Sequence, residues 1–343
     1  NISYKLWLRK AIEKNMPYDK FVKELISAQG LYHEPEKGGA NGYYMRDYQM
    51  NMEITSNTMQ IFLATSMVCA QCHDHPYKKW SQMDYYKLSA FIEGTQIISQ
   101  GGINDMKLAV KAAKKEKGSL NKQQENQVQA AYAPLGEGVF KGGSGTINLP
   151  SDYDYSDGKP NELIKAGVPF GPKVSINYRK TVDHKKTNIR RVDKIQVTDV
   201  NSREYLANWI TSPKNPMFTK TIANRLWHRV FGAPLIGDLL DMKESAMGKN
   251  PKLSALMIRV MTIAKYDQKM YLRLLYKTNA YQREAIDLNK EKYNYQAPVI
   301  TRLSSEQIWD SLLTLRQKNP DWSVDKGSLT SSNVLYETMI KKK

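Results

Sequence analysis

Residues 69–73 read Cys69-Ala70-Gln71-Cys72-His73, the C-x-x-C-H pattern of c-type haem attachment. In this chemistry both thiols add to the haem vinyl groups, and the imidazole that follows becomes an axial ligand of the iron. Two intervening residues let one helical turn present both sulfurs to the edge of the porphyrin. The chain has 343 residues and two cysteines, so the motif uses every thiol. We therefore predict one haem c, held by Cys69 and Cys72, with His73 on the iron.

Two other uses of the motif stay open at this point. A Cys69–Cys72 disulfide of the thioredoxin kind would follow a βαβ pattern, whereas residues 56–68 read as a buried helix or apolar segment. A zinc site made from Cys69, Cys72, His73 and His75 has suitable thiolate and imidazole ligands. Structural zinc sites usually take ligand pairs from separated segments, and this chain has no second Cys/His pair.

The charge balance points to acidic partners. The chain has 51 Lys and Arg against 34 Asp and Glu, a net charge of +17. Such a charge attracts an anionic membrane surface, an acidic polysaccharide or an acidic redox protein. We expect no nucleic-acid partner, because the lysines are dispersed in pairs and no nucleic-acid-binding motif accompanies them. We also predict no transmembrane segment, because no run approaches the ~20 apolar residues of a membrane span.

The apolar spacing predicts a mainly α protein, with two helical parts joined by a Gly/Pro-rich segment with short β pieces. Two helices are expected in residues 4–29, separated by Pro17, and apolar helical segments at 53–68 and 82–92 flank the motif. The predicted domains are a haem-binding, cytochrome-like helical domain at 1–133, the connecting segment at 134–200 and a C-terminal helical domain at 201–343.

The C-terminal part carries its own helix signals. Ser202 is predicted to cap a helix whose apolar face includes Trp209. Later helices are expected at 252–265, 268–283 and 305–317. The last follows Ser304-Ser305-Glu306-Gln307, which has the spacing of a capping box.

Further motifs stand around the C-x-x-C-H pattern in a fixed order. The first half has MPYDKFV at 16–22, CAQCHDHP at 69–76 and WSQMDYY at 80–86. The second half has REYLANW at 203–209, NP at 215–216, NRLW at 224–227, FG at 231–232, YQR at 281–283 and RLSSEQ at 302–307. Together these stretches resemble the planctomycete-type cytochrome proteins, which carry PSCyt and PSD domains. The chain departs from that pattern after Gly232, so we carry over no site there.

The resemblance implies an exported c-type cytochrome of the periplasm or cell surface. The function that we favour is electron transfer within a larger assembly. The resemblance assigns roles to Cys69, Cys72 and His73 alone. From the net charge we expect as partners an acidic redox protein or acidic subunits of an envelope complex, and an acidic polysaccharide is a further candidate. We expect an N-terminal portion and an export signal ahead of Asn1. An electron carrier is favoured over a haem enzyme. The alternative is a structural or scaffold component whose Cys/His cluster holds zinc or no ligand.

A six-coordinate haem needs a second axial ligand. The candidates among the histidines are His33, in a loop, and His228, in an aromatic helix. His75 suits the role poorly, because a helix continuing past His73 would turn it about 200° away. The methionines near the motif are interpreted as core filler, since Met often fills irregular gaps. Without a second ligand the iron would be open to small molecules.

Overall fold

The computed structural model describes residues 2–31, 39–47, 50–98, 110–111, 114–115, 118–132, 138–176, 201–287 and 293–316. These residues form a mainly helical protein, which confirms the predicted fold class. The α-helices are α1 Ile2–Glu13, α2 Tyr18–Ser27, α3 Gly42–Met45, α4 Asn51–Leu63, α5 Gln82–Ser89, α6 Lys122–Tyr132, α7 Ser202–Ile210, α8 Phe218–Phe231, α9 Pro251–Ile263, α10 Gln268–Tyr276 and α11 Ser305–Arg316. Short 3₁₀ helices occur at Gly39–Asn41 and Val68–Gln71.

The short strands form two small antiparallel sheets in the described residues. Strands β1 Gly30–Leu31, β2 Gln96–Ile98 and β3 Gly138–Lys141 make the first, in the order β1-β3-β2. Strands β4 Thr146–Asn148 and β5 Leu163–Lys165 make the second. Three of the five strands therefore lie in the predicted Gly/Pro-rich connection, of which residues 177–200 lie outside the described part of the chain.

The first and last parts of the chain share one hydrophobic core. Helix α2 packs against α7, and its apolar face buries Val22, Leu25 and Ile26. The ring of Tyr18 stacks on Phe218, with centroids 5.4 Å apart and planes 13° from parallel. Helices α4 and α8 also pack together. The N-terminal helices and α7–α10 therefore bury their apolar faces largely against one another. The proposed domain boundaries stay a prediction.

Two details of the C-terminal helices differ from expectation. The predicted capping role of Ser202 is wrong: Asn201 is the N-cap, and the Ser202 hydroxyl donates to the Phe91 carbonyl at 2.6 Å. Helix α10 ends at Tyr276 rather than near 283, because the Thr278 N–H and hydroxyl both turn back to the Leu275 carbonyl.

No helix in the described ranges is long and apolar enough to cross a membrane.

Candidate functional site

Two buried residues, Met67 and Ala70, hold the Cys69–His73 turn against the hydrophobic core. Helix α4 ends at Leu63, and the left-handed conformation of its C-cap residue Ala64 (φ 45°) turns the chain away from the helix axis. Met67 and Ala70 are fully buried, and the Ala70 N–H donates to the Met67 carbonyl at 2.9 Å. Cys69 lies in the 3₁₀ helix Val68–Gln71 that follows, and it is exposed to solvent. The predicted position of the motif between two helices, α4 and α5, agrees with the structure.

Both thiols are free and exposed to solvent. The N–H groups of Cys72 and His73 lie 3.4 Å from the Cys69 carbonyl oxygen, so the tight turn brings the three residues together. Val68 beside them is exposed as well. Cys69 and Cys72 thus form no disulfide in this structure, and both residues are open to solvent.

The imidazole of His73 is held by one of its two nitrogens. Its Nδ1–H donates to the backbone carbonyl of Asp74 at 2.7 Å, and the ring is exposed. Ligating histidines commonly make this bond, because it fixes the tautomer and leaves Nε2 as the free electron pair. Within the described residues Nε2 of His73 has no hydrogen-bond partner.

Asp74 braces the turn against two other segments. Its N–H donates to the Tyr155 hydroxyl oxygen at 2.8 Å, and its Oδ1 accepts the Gln82 N–H at 2.8 Å at the start of α5. The Gln82 side chain also donates to the Gln71 carbonyl at 3.1 Å. Burial raises the pKa of Tyr86 on α5, and the nearby carboxylate of Asp152 raises it further. Helix α5 therefore lies directly beside the motif.

The donor set fits covalent haem. It supplies two accessible thiols and one imidazole whose tautomer leaves Nε2 to bind iron. Over the ranges that the structure describes, no three or more His, Cys, Asp or Glu side chains are grouped to hold a metal ion.

The other histidines weighed as iron ligands are His75, His228 and His33. The Nδ1 of His75 accepts the Tyr77 N–H at 3.2 Å, so that nitrogen is used locally. His228 lies in the last turn of α8, where burial, and secondly Arg229, lower its pKa. No hydrogen bond among the described residues joins His228 to the motif. His33 lies outside the described residues. The choice of His33 or His228 as the second axial ligand therefore stays a prediction.

The residues just before the motif are clamped by the C-terminal part. The guanidinium of Arg225 on α8 donates to the carbonyls of Gln60 and Ile61 at the end of α4, the former at 2.9 Å, and to Leu239. The Ser66 N–H donates to Oδ1 of Asp241 at 3.1 Å. Sequence reasoning missed this clamp. Its only sequence signal is Asn224-Arg225 within the NRLW motif, which predicts no contact on its own.

A cleft of about 590 Å³ lies where residues 77–80 meet residues 241–245. Its basic side chains are mostly paired: Lys78 forms an ion pair with Asp241, and Lys79 one with Glu244 at 2.8 Å. Lys79 also lies over the Trp80 ring, 5.0 Å from its centroid. The cleft is thus a second junction between the motif segment and the C-terminal part.

Two family models match separate segments of the chain. Residues 1–97 match the family described as PSCyt2, protein of unknown function (DUF1549). Residues 202–331 match PSD1, protein of unknown function (DUF1553). Both are domains of planctomycete-type cytochrome-like families. No curated protein and no solved structure matches the chain.

Proposed function

We propose that this protein is a c-type cytochrome that transfers electrons in the periplasm or at the cell surface, within a larger assembly. One haem c would be bonded to Cys69 and Cys72, with His73 as an axial ligand. The observation that carries the proposal is the pairing of two exposed free thiols with an imidazole whose Nδ1 is bonded to the Asp74 carbonyl. The PSCyt2 and PSD1 matches support it at the level of family names.

Each residue of the turn has a separate task in this proposal. The thiols of Cys69 and Cys72 fix the group covalently, and the bound haem supplies a one-electron couple. Asp74 keeps the His73 ring in one tautomer through its carbonyl and holds the turn to α5 through its carboxylate. Met67 and Ala70 are fully buried and exclude water from the side of the turn that packs on the hydrophobic core.

The first experiment is a pyridine haemochrome spectrum of protein produced with a working cytochrome c maturation system. We expect c-type bands that Cys69→Ala and Cys72→Ala weaken or abolish. His73→Ala should change the spectrum of the oxidised and reduced protein, whereas His75→Ala serves as the matched control two residues away. A haem-free protein that retains stoichiometric zinc would contradict the proposal and favour a structural component of an envelope complex.

The second experiment tests the acidic partner. A net charge of +17 should speed association with an acidic redox protein through long-range attraction. Exposed charges are screened over ~8–10 Å at physiological salt. The association rate should therefore fall about tenfold or more between low salt and several hundred millimolar. A rate that does not change with salt would indicate an apolar interface and argue against electrostatic docking.

A further inference from the structure

The outer surface of helices α9 and α10 exposes large apolar side chains that have no packing partner in the described part of the chain. Both helices pack against α8 and against each other, so their outer sides form one surface, called here the α9–α10 face. The inner sides bury Met257, Met261, Tyr271 and Leu275. Five large apolar side chains are exposed on the outer side: Leu256, Ile263, Met270, Leu274 and Tyr276. A contiguous exposed apolar patch, especially one bordered by polar residues, is typical of an interaction surface.

The same face is strongly basic. Residues 251–277 contain one carboxylate, Asp267, which is used to cap α10 by accepting the Met270 N–H at 2.8 Å. None of the cations of this segment forms an ion pair with a described residue. All six are exposed: Lys252, Arg259, Lys265, Lys269, Arg273 and Lys277. The face therefore offers unneutralised positive charge beside exposed apolar groups.

The arrangement of these groups favours lipid over protein as the partner. On α9 the exposed stripe alternates Lys252, Leu256, Arg259 and Ile263, at helical spacing. The core of a protein interface is depleted of lysine and gathers its apolar groups together. A membrane-surface helix instead mixes the two, because long basic side chains reach the headgroups while aliphatic ones enter the acyl boundary.

We propose that the α9–α10 face docks on an anionic phospholipid bilayer. The two helices would lie in the plane of the membrane, with Ile263 and Leu274 among the aliphatic groups that enter the headgroup–acyl boundary. The cations would contact lipid phosphates. This surface belongs to the C-terminal part, and the proposal stands or falls independently of haem at Cys69.

The test is co-sedimentation of the full chain with vesicles of phosphatidylcholine alone and with added phosphatidylglycerol. We expect binding to the anionic vesicles only. The pair Lys269→Gln and Arg273→Gln should weaken the partition coefficient about tenfold or more, since each basic residue near an anionic surface contributes substantially. The pair Ile263→Gln and Leu274→Gln should weaken it by a similar factor, because it removes insertion without changing charge.

Two matched controls are available on the Gly/Pro-rich segment. Leu163→Gln replaces an apolar side chain that is 65% exposed, against 66% for Ile263. Lys159→Gln with Lys173→Gln removes two exposed charges elsewhere. Both controls should bind as the unchanged protein does, and far-UV circular dichroism should show that every variant is folded. Equal binding by all variants would overturn the proposal, as would capture by an acidic polysaccharide or protein without binding to anionic vesicles.

Discussion

The backbone N–H of Met242 donates a hydrogen bond to the Ala64 carbonyl oxygen at 2.7 Å. Ala64 is the C-cap residue of α4 and leads into the C-x-x-C-H turn, while Met242 lies in the segment matched by PSD1. Asp241 beside it accepts the Ser66 N–H at 3.1 Å. The candidate site is thus supported by both matched segments, and its geometry depends on contacts between residues ~175 positions apart in sequence.

We predict that Arg225→Met lowers the free energy of unfolding by about 3 kcal/mol, because it removes the charged donor that bonds to the part-buried Gln60 and Ile61 carbonyls at the end of α4. The measurement is a urea titration followed by circular dichroism. Arg229→Met is the matched control, because Arg229 is exposed on the same helix. If both substitutions have the same small effect, the clamp contributes nothing to stability.

Gly143→Ala should lower the free energy of unfolding by about 3 kcal/mol, since an added Cβ would lie 1.8 Å from the Phe91 carbonyl oxygen and 2.4 Å from Ser202 Oγ. The Gly143 carbonyl also accepts the Ser202 N–H at 3.2 Å, so the chain cannot move away freely. Thermal unfolding measures the effect. Gly167→Ala, whose added Cβ would have an ordinary contact of 3.4 Å, should change little. If Gly143→Ala is as stable as Gly167→Ala, the close approach of Gly143 to the Phe91 carbonyl is refuted.

In alkaline solution the free energy of unfolding should depend on the protonation of Lys220. Lys220 is buried, and its Nζ donates to the carbonyls of Glu244 and Ala246 at 2.6 and 3.0 Å. Burial lowers its pKa below 10.5, while Glu244 opposes the shift. Between the folded pKa and 10.5 the unfolded chain binds more protons at this site, so this group's contribution makes folding more favourable as pH rises.

The measurement compares the unchanged protein with Lys220→Met at several pH values. The stability of the unchanged protein relative to Lys220→Met should increase as pH rises toward 10.5. Taking the difference in stability between the two proteins cancels the titration of the groups that they share. Lys243→Met, at an exposed position nearby, controls for the loss of one charge. If this relative stability falls as pH rises, the pKa of Lys220 is not lowered in the folded protein.

Local sequence pattern predicted most of the helices, because each depends on spacing within a few residues. The capping box is confirmed in detail: the Ser304 N–H donates to Gln307 Oε1 at 2.9 Å, and the Gln307 N–H to Ser304 Oγ at 3.2 Å. The Ser202 prediction was wrong because its hydroxyl bonds to Phe91, 111 residues away. A residue with two competing partners cannot be assigned from neighbours alone.

The same distinction applies to the site. Cys69, Cys72 and His73 were named from the motif, and all three lie on one exposed turn. The hydrogen bonds from the Asp74 N–H to Tyr155 and from the Met242 N–H to the Ala64 carbonyl are not predicted from the sequence. Backbone donors and acceptors occur at nearly every residue and carry no sequence signal. The α9–α10 face was also missed, since periodicity shows which residues share a side but not whether that side is covered.

The most direct test of the central claim is the intact mass of the protein after acid–acetone extraction, following production with a working cytochrome c maturation system. Non-covalent haem is removed by the extraction, whereas thioether-bound haem stays. We predict that the unchanged protein keeps the added mass of one haem and that the Cys69→Ser, Cys72→Ser double variant does not. An unshifted mass for the unchanged protein, with Cys69 and Cys72 both open to alkylation, would contradict the account.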